Sequence, residues 1–198
     1  MKHLEKITHA ELIDLGRNWL IKPYAAMADY GHTGCAVVIT EISCNTWCGE
    51  EPDIIGFTSS RSRSILIECK ASRSDFRADK DKPFRQAPEF ALGLQRWYLA
   101  PVGIIPVDEL PDKWGLLEVT EERSVKVVKR AEKQKRNYDS ELKILISAMR
   151  RLNIQADGHV SIKKYEPLKG VPPSKNRATF FVNTEINESR EEGGNGNP

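Results

Sequence analysis

The chain has 198 residues, 39% hydrophobic and 29% charged, and 30 Lys and Arg against 28 Asp and Glu leave a formal net charge of +2. That length suits one ordinary domain with appendages, and no stretch is long and apolar enough to span a bilayer. A near-neutral sum excludes a uniformly basic coat, so affinity for an anionic polymer would have to come from how the charges are distributed.

The opening run, Met1-Lys2-His3-Leu4-Glu5-Lys6, has no apolar signal core, and a soluble chain is expected. Residues 8 to 22 are predicted to be a helix. Thr8 and Glu11 form a capping box, Ile7 and Leu12 a hydrophobic staple, and Leu12, Ile13, Leu15, Trp19 and Leu20 an apolar face at helical spacing. Residues 23 to 34, with Pro23, Gly31 and Gly34, read as irregular. The β-branched run Cys35 to Ile42 predicts a strand, with Glu41 near its end. Cys35 and Cys69 fall in strands as small buried hydrophobes. Cys44 and Cys48 lie in the next loop, too few and too irregularly spaced for a zinc site even with His32 and Cys35 drafted in, so all four thiols are expected free.

Two apolar runs, Ile54 to Phe57 and Ser64 to Ile67, flank a polar turn from Thr58 to Arg63, which is a hairpin signature. A symmetric turn sets Phe57 opposite Ser64, Ile55 opposite Leu66 and Asp53 opposite Glu68. Directly opposed residues share a sheet face, and alternation adds Lys70 to that face while turning Cys69 away. Two carboxylates and an ammonium then converge at one end of the hairpin. Carboxylates that close repel each other unless a cation sits between them.

Beyond Lys70, Ser72 or Ser74 can cap a short helix that Pro83 ends. Arg73, Arg77, Lys80, Lys82 and Arg85 lie close in sequence to the acidic pair. They read either as phosphate contacts or as a solvated helix face. Pro88 is positioned to open a helix through Phe90, Leu92 and Leu94. Residues 95 to 101 and 114 to 119 read as strands, with one helical turn over 106 to 112 between them. Residues 123 to 136 are basic and include an edge strand at 124 to 128, where lysines discourage aggregation and also suit a nucleic-acid groove. Tyr138 to Leu152 predicts an amphipathic helix burying Leu142, Leu145, Ile146, Met149 and Leu152. After residue 152 the expectation is an extension over 153 to 184, with short strands at 160 to 162 and 179 to 182 and a basic loop at 169 to 177. A disordered Glu- then Gly/Asn-rich tail is expected over 185 to 198.

The run Pro52-Asp53 with Glu68-Cys69-Lys70 resembles the active-site signature of the PD-(D/E)XK nuclease superfamily. Ile65 to Phe76, and Arg96 to Val119, are similar to its DNA-repair-associated MmcB-like branch and related phage proteins, over roughly residues 35 to 120. The resemblance implies an α/β fold, restriction-endonuclease-like, with a mixed sheet flanked by helices on both faces and the nuclease domain over residues 1 to 152. It implies a DNA-directed, metal-dependent nuclease of repair, recombination or phage DNA processing, in the cytoplasm of a bacterium or phage-infected cell. Asp53, Glu68 and the carbonyl of Cys69 would hold Mg²⁺, with Mn²⁺ a substitute. Lys70 would orient or deprotonate the attacking water, or neutralise the transition state; desolvation would lower its pKa and the acids raise it. Glu41 is either a further catalytic acid or a solvated strand end, and Glu11 either a metal acid or a helix cap. Gln95 and Tyr98 fall in a strand-like segment, unlike the helical Gln and Tyr of some superfamily members, and are not carried over. A homodimer would allow double-strand cuts, and a protein partner is the other association considered. The alternative function is a catalytically silent nuclease-fold protein, either binding nucleic acid without cutting or serving as an accessory, partner-binding protein.

Overall fold

The computed structural model describes residues 6–22, 34–46, 48–59 and 63–152. The chain divides after Leu152, and everything below belongs to the unit before that point. The expectations for 153–184 and 185–198, and those for His32 and most of the 23–34 segment, lie outside the described residues.

Helix α1, His9–Ile21, starts where the sequence sets its cap: Thr8 accepts from the Glu11 N–H and Glu11 accepts from the Thr8 N–H. Then come β1 (Val37–Thr40), β2 (Ile54–Phe57) and β3 (Ser64–Cys69), followed by α2 (Arg73–Asp79) and α3 (Pro83–Gln86). Strands β4 (Gln95–Pro101), β5 (Gly115–Val119) and β6 (Val125–Lys129) follow, and α4 (Tyr138–Arg151) closes the series. The strands form one six-stranded mixed sheet in sequence order. The first three make an antiparallel meander, β3, β4 and β5 run parallel, and β6 returns antiparallel as an edge. This is the α/β class with a mixed sheet expected from the sequence.

The hairpin register is the symmetric one, with Phe57 opposite Ser64 and Ile55 opposite Leu66. All six residues of β3 are buried, as a central strand covered on both faces requires. One face packs Leu12, Ile13, Trp19 and Leu20 of α1 onto Ile54, Ile65, Ile67, Trp97 and Leu99. Gly16 permits that approach, because a Cβ there would lie 2.5 Å from Ile54 Cδ1. The other face gathers Ile55, Leu66, Tyr98 and Leu116 under Phe76 of α2 and Ile144 of α4. Helices therefore cover both faces.

Four local expectations are corrected. The first strand is shorter than Cys35 to Ile42, and Cys35 precedes it, half-buried. Pro83 opens α3 at a position that needs no N–H donor, so it starts a helix as well as following one. Pro88 begins only a three-residue 3₁₀ turn, because the Leu92 N–H is taken by the Glu50 carboxylate instead of a helical carbonyl. The fourth concerns α4, which buries Ser140, Glu141 and Ile144, while Leu142, Ile146, Met149 and Leu152 are exposed. Hydrogen bonds to the Glu141 carboxylate from Ser64 and the Gly93 N–H hold that polar side inward, against the apolar pattern.

Candidate active site

Strand pairing assembles the site. Glu41 lies beside Asp53, to whose carbonyl its N–H donates at 2.9 Å; one step beyond the Ile54–Ile67 pair of the hairpin, Asp53 lies beside Glu68. Across the parallel pair, Glu68 lies beside Tyr98. Acidic residues on three neighbouring strands thus end at one level of the sheet, next to a tyrosine. Glu41 itself is exposed and in the left-handed backbone region (φ 48°), a conformation that turns the chain out of β1.

Asp53 Oδ2 accepts the Cys69 N–H at 2.7 Å, which ties the end of β2 to the end of β3. Its Oδ1 is 3.5 Å from His9 Nε2, at the start of α1. Glu68 and Lys70, two residues apart, are on one face as alternation requires, with Lys70 Nζ 3.1 Å from Glu68 Oε2. Lys70 also reaches Asp79 at 3.2 Å. Asp79, the last residue of α2, is almost wholly buried. It further accepts Tyr98 Oη at 2.6 Å and Arg85 Nε at 2.7 Å, and lies 2.8 Å from Lys82 Nζ. Arg85 bridges onward to Glu50 and stands 3.3 Å from Glu68 Oε2. Its guanidinium lies over the Trp114 ring at 4.6 Å, and Trp114 stacks on Tyr98 with centroids 4.5 Å apart.

The electrostatics follow from burial and proximity. Desolvation, then the Glu68 charge, push the Asp53 carboxyl up to about 6, against the opposing pull of the Cys69 N–H and Lys70. Desolvation alone would favour neutral Lys70, but Glu68, Asp79 and Asp53 together hold its pKa above the ordinary lysine value, so it stays an ammonium. Asp79 is also desolvated, yet Arg85, Lys70 and Lys82 hold it well below the usual carboxylate range. Desolvation raises Glu50 despite Arg85.

The donor set suits a divalent cation. Glu68 Oε1 is buried with no hydrogen-bond partner, beside the carboxyl whose ionisation Glu68 itself opposes. Among the described residues no three His, Cys, Asp or Glu side chains are grouped to hold a metal ion. Two carboxylates completed by water are a set that Mg²⁺ accepts. Cys69 contributes its N–H to Asp53, and its thiol is buried and held protonated chiefly by desolvation.

The expected phosphate contacts divide. Arg77 is exposed on α2, and Lys82 lies half-exposed at the edge of the cluster. Arg73 and Lys80 both pair with Glu109. Arg85 is a correction: its side chain is 5% exposed and committed to carboxylates, so it is an internal strut and not a surface phosphate contact. Glu11 is occupied by the Thr8 cap and by Arg123 at 3.3 Å.

Sequence reasoning missed His9, Glu50 and Asp79, and it set Tyr98 aside. Tyr98 arrives on a strand, not the helix of the family pattern, and its level against Glu68 depends on a parallel register that no turn dictates. Asp79 carried a faint signal, since a helix capped at Ser72 would end near it.

No family model and no curated protein matches the chain. Among solved structures it is similar to the SPO1766 protein of unknown function from Silicibacter pomeroyi, 24% identical, over 72% of this chain and 89% of that one, with a TM-score of 0.49. Among the described residues no helix is long and apolar enough to cross a membrane.

Proposed function

We propose that this chain is a metal-dependent nuclease that hydrolyses phosphodiester bonds in DNA, with Asp53 and Glu68 holding Mg²⁺ or Mn²⁺ and Lys70 beside them. The observation that supports it best is the unpartnered, buried Glu68 Oε1 next to an Asp53 carboxyl pushed up to about 6. Bound there, a divalent ion supplies Lewis acidity and an activated water. Glu68, Asp79 and Asp53 hold Lys70 as an ammonium, the form that would orient the attacking water or offset charge that builds on the phosphate. Asp79 positions Lys70, and Tyr98 and Arg85 fix Asp79. Lys82 and Arg77 are the cations placed to meet backbone phosphates. The setting in repair, recombination or phage DNA processing rests on the superfamily resemblance.

One observation favours the reading as a DNA binder that does not cut: Glu68 Oε2 and Lys70 already neutralise each other, with Arg85 adding a second cation. Incubating supercoiled, linear and single-stranded DNA with Mg²⁺, Mn²⁺ or EDTA separates the two. Metal-dependent cutting that falls by roughly 10²–10³-fold in Glu68→Ala and Lys70→Ala is expected of the nuclease. Salt-sensitive binding with no cutting on any substrate would replace it with the binder.

A further inference from the structure

We propose that the outer face of α4 is a self-complementary interface, which takes α4 of a second copy of this chain in antiparallel register. Tyr138, Leu142, Ile146, Met149 and Leu152 are 66%, 56%, 47%, 47% and 68% exposed, the densest run of exposed large apolar side chains among the described residues. A single exposed leucine needs no explanation, but a contiguous apolar helix face does.

The spacing says what kind of surface this is. Tyr138, Leu142, Leu145, Met149 and Leu152 follow one another at alternating intervals of four and three, the repeat of a helix–helix seam, and Ile146 widens it. The opposite side of α4, with Ser140, Glu141 and Ile144, is already committed to the protein's own core. Tyr138 and Leu152 lie seven residues either side of Leu145, and Leu142 and Met149 three and four, so the seam is its own complement to within one residue. An antiparallel partner sets Tyr138 against Leu152, Leu142 against Met149 and Leu145 against its own copy, which is the isologous contact of a two-fold dimer. Beside the first half of the seam lies a groove of about 520 Å³ lined by Phe57, Tyr138, Leu142 and Leu145 together with four charged side chains, Asp139 among them. In this register it faces the Met149 and Leu152 end of the second copy.

Charge selects the direction. Asp139 lies in the first turn of α4 and Arg150 in the last, and both are exposed. Antiparallel pairing sets the Asp139 end of each helix beside the Arg150 end of the other. Parallel pairing would oppose like charges at both ends, and like charges across a contact are disfavoured.

Sedimentation equilibrium of the full chain tests the proposal. The expected mass is twice the 22.4 kDa of one chain. Leu142→Glu, which would bury a charge in the seam, is expected to raise the dimer dissociation constant by at least about 100-fold with helix content unchanged by circular dichroism. Should that variant misfold, Met149→Lys asks the same question from the other half of the seam. Asp139→Arg is expected to weaken the dimer about two- to fivefold, and adding Arg150→Asp to restore it, a rescue that only pairing between copies produces. A monomer throughout the concentration series overturns the proposal and assigns the face to the chain's own later residues or to another protein. A dimer indifferent to Leu142→Glu and Met149→Lys overturns it too, by placing the contact elsewhere.

Discussion

The two ends of β3 both bury polar groups, and they do so in opposite ways. At its start, Ser64 Oγ donates to Glu141 Oε1 at 2.6 Å and accepts from the Leu94 N–H at 2.9 Å and Arg136 Nη1 at 2.7 Å. Glu141 Oε1 also accepts the Gly93 N–H at 3.0 Å, and Arg136 stands 3.3 Å from its other oxygen. The Ser64 hydroxyl and both Glu141 oxygens have donors there, and the network pins α4 and the segment before β4 onto the strand. At the other end, Glu50, Glu68, Asp79, Lys70 and Arg85 crowd more charge than hydrogen bonding can satisfy, and Glu68 Oε1 is left without a donor. A buried polar atom left unpaired costs about 1–3 kcal/mol. The same strand thus carries a closed polar network that serves packing and an open one whose cost has no return in packing. The function proposed for the chain rests on the Glu68 end of that asymmetry.

Removing the central cation should break the open cluster most severely. Arg85→Ala leaves Glu50 and Asp79 buried without their guanidinium, and a loss of about 3–5 kcal/mol in denaturant-derived stability is expected. Arg85→Lys should recover only part of it, because a single ammonium cannot span Glu50, Glu68 and Asp79 as the fork does. The matching change at the closed end is Glu141→Ala. It leaves the Gly93 N–H unpaired, removes the acceptor of the Ser64 hydroxyl and takes a carboxylate from Arg136, for an expected loss of about 2–3 kcal/mol. The contrast is in function: at temperatures where it is folded, Glu141→Ala should leave DNA cleavage or binding unchanged, whereas Arg85→Ala should lower it. Equal functional effects from both would remove the distinction between the two ends.

How far the sequence went depends on what fixed each element. The hairpin was legible because a symmetric turn dictates its register, so the adjacency of Asp53 and Glu68, and of Lys70 on the Glu68 face, followed from counting residues. The helix cap at Thr8 was legible because it is local. Asp79, Glu50 and Tyr98 were not, because they reach the site through a helix end, a loop and a parallel strand whose placement depends on tertiary packing. Arg85 was misread for the same reason: a basic residue on a short helix looks solvated until the carboxylates around it are known. In α4 the apolar stripe was real, but the buried side was decided by Glu141, whose partners lie 77 and 48 residues away.

The finest test of the open end is a pH dependence at Asp53. Its folded pKa of about 6 lies above the ordinary 3.8, so the native state binds the proton more tightly than the unfolded chain does. Stability is therefore expected to fall as pH rises from about 4 to about 6, by up to about 3 kcal/mol for a shift of roughly two units, and to stay lower above that window. Asparagine keeps an oxygen for the Cys69 N–H but cannot ionise. Asp53→Asn should accordingly be more stable than the native chain at pH 7–8 and indistinguishable from it near pH 4, measured by urea unfolding in EDTA. Adding Mg²⁺ at pH 7.5 should raise the melting temperature of the native chain and not of the variant, because a cation there offsets the Glu68 charge that opposes Asp53 ionisation. If Asp53→Asn is instead less stable at pH 8, the ionised carboxylate is a net stabiliser without metal, and the open end of β3 is closed after all.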